Sequence, residues 1–334
     1  MTSRFFVAGS IVAAAFVVVA TLTTDRSRAQ QRSAAARSLN MGGKEVTKEQ
    51  VQGWMKSLSN WGRWGKDDQS GAMNLVTDAK RKQAIALAKN GLVVSLAHKP
   101  PLVPRSQPQS AGAFYQIHLN LLPSGYATEE QEIAFHGSSF THLDALCHGH
   151  DNGVMYNGYS FAEMVTESGC RKLGIDALPN GIVTRGILID IPRLKGVSAL
   201  PPGSHVYVED IEAWEKQAGI KISAGDAIFL HTGRWTSGQT SGYDISVAPW
   251  LKQRDIALLS SDGTQDISQV AGLQPLPLHH YVLVALGVNI IDNADLRAVA
   301  ETAARLKRWE FMLTVAPVTT PGGTGSPVNP LAIF

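Results

Sequence analysis

The sequence predicts an α/β fold, and three observations carry that reading. Apolar runs rich in β-branched and aliphatic residues recur at 181–191, 227–232, 256–261 and 310–316, each bounded by turn residues. Segments of helical periodicity or composition interleave with them. Strands that alternate with helices are the mark of an α/β chain.

The elements follow in order along the 334 residues. Residues 1–29 read as a secretory signal. Arg4 supplies a short positive region, 5–22 is almost unbroken apolar sequence, and the small residues Ser27 and Ala29 set a cut after Ala29. That run is at the short end for a spanning helix, so an uncleaved membrane anchor is the alternative. Export to the periplasm or the medium is therefore expected. Residues 30–45, rich in Gln, Ser, Ala and Arg, read as a linker. Residues 46–334 are expected to form a single domain, long enough to bury a core without staples.

Within that domain a helix is predicted over 45–58. The Gly- and Trp-dense loop Asn60-Trp61-Gly62-Arg63-Trp64-Gly65 follows it. A second helix is predicted over 78–90, with Thr77 and Asp78 as cap residues and Gly91 as its stop. Residues 100–112 are proline-rich and read as a loop. A helix over 208–218 places Ile211, Trp214 and Ala218 on one face, with Gly219 as its terminator. Residues 295–306 have good helix composition.

Composition narrows the function. The net charge is +2 with no block of like charges, which argues against nucleic acid or a basic membrane patch as partner. The GxGxxG and GxxxxGKS phosphate loops are absent, and Gly322-Gly323-Thr324-Gly325-Ser326-Pro327 reads as a turn. Cys147 and Cys170 are the two cysteines. They make no disulfide framework; one bridge is allowed, and sequence does not say whether they meet. Cys147 as a nucleophile with His148 is a further option, but adjacent residues on a strand face opposite ways.

The chemistry concentrates in histidines. Of ten, four fall within His136–His150, in a stretch that contains Thr141-His142-Leu143-Asp144 and ends His148-Gly149-His150. On an extended chain His142 and Asp144 point the same way, a good start for a zinc or manganese site. A second candidate lies downstream, where His279 and His280 open an apolar run that leads to Asp292. Ligands that converge from separate elements are the ordinary construction of a catalytic metal site.

These residues resemble the cyclase family, which includes bacterial kynurenine formamidases and isatin hydrolases. The family mark, His-x-Gly-Thr-His-x-Asp-x-Pro-x-His, is matched in its second half by Thr141, His142, Asp144 and His148. Further stretches resemble longer bacterial members: Asn60 to Gly65 with Asp67 and Asp68, Met155 to Gly158, Pro277 to His279, Asp292 to Leu296, and Gly322 to Pro330.

The resemblance implies a mixed central β-sheet, partly barrel-like, with helices around it. It makes His142 and Asp144 ligands of a divalent metal, Zn or Mn, and His148 the catalytic histidine or a further ligand. His279 or His280, with Asp292, would complete the set. Two departures stand out. The family's first ligand histidine falls on Ser138, with His136 two residues earlier as a substitute donor, and its downstream glutamate falls on Asp292.

The implied reaction is metal-assisted hydrolysis of a C–N bond in an arylformamide, a cyclic amide or a related small molecule. Trp61 and Trp64 are expected to line an aromatic pocket for a flat substrate, with core packing as the alternative. An exported metal- or solute-binding protein that has lost catalysis is the second reading, prompted by Ser138. Family members are commonly oligomers, which leaves a homo-oligomer open.

Overall fold

The computed structural model describes residues 45–99 and 114–334. The signal segment, nearly all of the linker and the proline-rich loop at 100–112 lie outside the described residues. Among the described residues no helix is long and apolar enough to cross a membrane.

One nine-stranded mixed sheet organises the described chain, curled into a half-barrel with helices around it. Its strands are β1 (Val93–Ser95), β4 (His142–Asp144), β5 (Ile182–Asp190), β6 (Ala227–His231), β7 (Leu258–Ser261), β8 (Asn289–Asp292), β9 (Glu310–Val315), β10 (Gly325–Pro327) and β11 (Leu331–Ile333). The numbers β2 (Phe114–Leu121) and β3 (Ala127–Ala134) belong to a separate antiparallel hairpin. Across the sheet the order is β1, β11, β9, β5, β6, β7, β8, β4, β10. From β5 to β8 neighbours run parallel, and every other pairing is antiparallel.

The four apolar runs seen in the sequence are β5, β6, β7 and β9. In the parallel set, β6 and β7 are buried at every residue and β5 at all but one. Covered on both faces, such strands show a continuous apolar run rather than alternation. Against β5, β9 alternates buried and half-buried residues. Phe311 of β9 lies opposite Gly186, and a Cβ there would come within 2.2 Å of the Phe311 ring.

Helices cap this sheet: α1 (Lys48–Ser57), α2 (Asp78–Ile85), α3 (Val208–Ala218), α4 (Ala248–Arg254), α5 (Pro277–His280) and α6 (Arg297–Leu306). Helix α1 opens on a reciprocal capping box between Thr47 and Gln50. Thr77 caps α2, which ends at Ile85 rather than running to residue 90. Beyond it the backbone turns, and Asn90 N–H donates to Phe334 O, a bond a continued helix would forfeit. Helix α3 matches its predicted span, and Gly219 ends it in the left-handed conformation.

Candidate metal centre

The short strand β4 sits between β8 and β10. In register His142 faces Asp292 on one side and Pro327 on the other, while Asp144 faces Ile290 and Gly325. Two-sided pairing holds three residues extended, so His142 and Asp144 project to the same face. Gly325 permits the close approach, since a Cβ there would meet Leu143 O at 2.5 Å.

Asp144 is the hub. Its carboxylate is fully buried, and neither oxygen has a hydrogen-bond partner. His136 Nδ1 lies 3.2 Å from Oδ1, His142 Nε2 lies 3.5 Å from Oδ1, and His279 Nε2 lies 3.2 Å from Oδ2. Near as they are, these groups are not aligned as hydrogen bonds. Donor atoms fall into two compact sets, His136/His142/Asp144 and Asp144/His148/His279, each within 4.8 Å. A bare buried carboxylate is costly, and a cation shared with the surrounding imidazoles removes that cost.

Outer contacts aim two of the rings. His142 Nδ1 is bonded to Phe140 O at 2.9 Å, which turns Nε2 toward the carboxylates. His136 Nε2 meets Thr324 Oγ1 at 2.9 Å, which leaves Nδ1 for Asp144. Asp292 accepts from Gln265 Nε2 at 2.8 Å through Oδ1, and its Oδ2 lies 4.0 Å from His142 Nε2. His148, at the end of a tight turn over Leu146–His148, stacks on His136 with ring centres 4.0 Å apart.

The electrostatics separate these groups. Burial pushes His148 down to about 4, against the pull of Asp144, so it is a neutral base at neutral pH. Burial alone would also lower His279, but the charges of Asp292 and Asp144 raise it to about 9. Asp144 is opposed by burial, yet His148, His136, His279 and His142 hold it well below the usual carboxylate range. Asp292 is raised, chiefly by burial.

The family model described as a putative cyclase matches residues 66–265. This chain belongs to the cyclase family. The crystal structure of a novel cyclase is 29% identical with a TM-score of 0.74, over 84% of this chain and 99% of that one. Isatin hydrolase A from Ralstonia solanacearum shares the fold at 18% identity and a TM-score of 0.53, over 77% and 97% of the two chains. An isatin hydrolase bound to the product analogue thioisatinate does so at 18% and 0.50, over 72% and 92%. Comparison with curated proteins returned no match.

In this chain His136, His142, Asp144, His148, His279 and Asp292 come together. Of the two neighbours on α5, His279 reaches Asp144. His280 instead bonds His150 O through Nδ1 at 3.2 Å. Each helical residue rotates the side chain by about 100°, so only one of the pair faces the carboxylate. Ser138 is exposed, and its carbonyl accepts from Arg234 Nη2 at 2.7 Å.

The tryptophans make other contacts. Trp61 donates from Nε1 to Val284 O at 2.6 Å and lines a cavity of about 650 Å³ with Gln52, Met55 and Asp151, whose walls include none of the clustered residues. Trp64 packs under the Arg63 guanidinium, 4.8 Å from its ring centre. Cys147 is bonded to Cys170, so the thiol-nucleophile option is corrected: its sulfur is committed to a disulfide.

Sequence reasoning missed Gln265, Thr324 and the Phe140 carbonyl. None carries a spacing signal of its own. Thr324 lay inside the glycine-rich stretch that reads as a turn and carries part of the family resemblance, with no role assigned to it.

Proposed function

We propose that this protein is a metal-dependent hydrolase that cleaves the C–N bond of a small arylformamide or cyclic amide. The observation that carries the reading is Asp144, buried with both oxygens bare among imidazoles from three separate segments. A mixed nitrogen and carboxylate donor set suits Zn²⁺ or Mn²⁺. His136, His142, Asp144 and His279 would hold the ion, with Asp292 beside His142. The cyclic-amide class is supported by the isatin hydrolases that share the fold.

A bound divalent ion supplies Lewis-acid polarisation of the carbonyl and activation of water. The chain's own residues do the rest. His148, unprotonated near neutral pH, accepts the proton of the attacking water and returns it to the leaving nitrogen. Phe140 O and Gln265 fix the orientations of His142 and Asp292. Export is supported by the Cys147–Cys170 bridge, since structural disulfides persist in oxidising compartments.

The test is metal removal by chelator, followed by reloading with Zn²⁺ or Mn²⁺ and assay on formylated anilines and cyclic amides. Activity is expected to vanish and return. Turnover unchanged in fully metal-free protein would end the reading. Tight metal binding without turnover on any member of the panel would favour the alternative of an exported metal-binding protein.

A further inference from the structure

The Cys147–Cys170 disulfide sits beside the centre, not in a remote part of the fold. Cys147 immediately precedes His148 in the same tight turn. Cys170 ends the small hairpin formed by Val165–Thr166 and Gly169–Cys170. From there the contacts lead back to the site. Cys170 N–H donates to Gly322 O at 2.8 Å, and Ile175 N–H donates to Gly323 O at 2.8 Å. The next residue is Thr324, whose carbonyl accepts from Ala145 N–H at 3.0 Å and whose hydroxyl meets His136 Nε2 at 2.9 Å. Cys147 N–H donates to Leu173 O at 3.1 Å.

Three segments, 145–148, 169–175 and 322–325, are thus tied into one block by the single covalent bridge and a few backbone bonds. Gly169 lets the last two touch: a Cβ there would lie 2.8 Å from Gly322 O. Both rings that stack beside Asp144, His136 and His148, hang from this block. Asp144 also borders the block through Gly325, but it, His142 and Asp292 have a second, independent support. They are held by the paired strands β4 and β8, and His279 by helix α5.

We propose that the Cys147–Cys170 disulfide is a redox-sensitive clamp that positions His136 and His148 at the metal centre, so that the oxidised chain binds the ion and turns over better than the reduced one. The proposal rests on the metal reading above. A dithiol such as dithiothreitol supplies two electrons and two protons; the S–S bond breaks, two thiols form, and the reductant closes to its own cyclic disulfide. Cys170, at 8% exposure against 1% for Cys147, is the more open end of the bridge.

The test compares oxidised protein, dithiothreitol-reduced protein and the double variant Cys147→Ser/Cys170→Ser. Mn²⁺ is the probe, because thiolates favour softer ions and so compete little for it. Its binding is read from the electron paramagnetic resonance of the free ion, and thiols are counted on the same samples. Reduction is expected to weaken Mn²⁺ binding about 10–100-fold, the range for lost outer support of metal ligands. On a hydrolysed substrate, kcat should fall with KM little changed. The double variant should match reduced protein and ignore dithiothreitol. Two thiols per chain with unaltered Mn²⁺ affinity would overturn the proposal. So would loss of the whole fold on reduction, followed by circular dichroism, since the effect would not be local. Failure of every form to bind either Mn²⁺ or Zn²⁺ refutes the metal reading itself and removes the clamp with it.

Discussion

Gln265→Asn tests the support that Gln265 gives Asp292. Gln265 is buried at 1% exposure, and its Nε2 donates to both Asp292 Oδ1 at 2.8 Å and Ile291 O at 2.9 Å. Its φ is 67°, a left-handed conformation that asparagine also tolerates, so the backbone should not object. Removing one methylene withdraws the amide by about 1.5 Å, which takes both bonds beyond hydrogen-bond length. A hydrogen bond to a charged group is worth about 1.5–3 kcal/mol, and an orphaned buried carbonyl costs about 1–3 kcal/mol. Partial relaxation makes these less than additive, so the metal-free protein should lose about 2–4 kcal/mol of unfolding free energy in urea. If Asp292 serves the ion, metal affinity of the folded variant should also fall about 10–100-fold, or about 1.4–2.7 kcal/mol. Isothermal titration of Mn²⁺ into folded protein reads the second number. A stability loss with unchanged affinity would refute the reasoning, because Gln265 and Asp292 would then be structural only.

Further substitutions sort the remaining donors. His279→Ala should cost metal affinity at least tenfold, while His280→Ala should leave it within about twofold by the same titration. His136→Ala should weaken binding and Ser138→Ala should not, and equal effects would show that the imidazole at 136 does not stand in for the residue at 138. Away from the centre, His231 Nδ1 lies 3.1 Å from Asp190 Oδ1. Burial opposes the charged form of each, yet the pairing raises His231 and lowers Asp190. The histidine's contribution is full below about pH 6.5 and is lost as pH rises through its raised folded value. The aspartate's is full above about pH 3.9 and is lost as pH falls through its lowered one. The stability gap between wild type and His231→Asn should therefore be widest between about pH 4 and 6.5 in urea titrations.

What the sequence reveals follows from burial. Strands β5, β6, β7 and β9 were legible because burial demands apolar residues over several consecutive or alternate positions. Strands β4 and β10, three residues each, carry no such run. Their extended form comes from neighbours distant in sequence. Hairpin β2–β3 was missed because its second strand, rich in Glu and Thr, is exposed over most of its length.

At the site, the spacing of His142 and Asp144 was legible because a strand has a period of two. The facing of His142 by Asp292 was not, since register depends on tertiary pairing. His136 shares that parity, but it reaches Asp144 from a run of bends after β3 rather than along a continuous strand. The choice between His279 and His280 needed the direction of α5, which one sequence does not supply.

The donors and their immediate supports are scattered from residue 136 to residue 324. Contacts so far apart in the chain close large loops and assemble slowly, so the ion-binding nest is complete only when nearly the whole domain has folded. An ion captured there has no counterpart site in the unfolded chain. It therefore acts as a latch on finished molecules, worth about 2.7 kcal/mol at a hundredfold excess over its dissociation constant. The supply of metal where the protein folds would then set its lifetime as well as its activity.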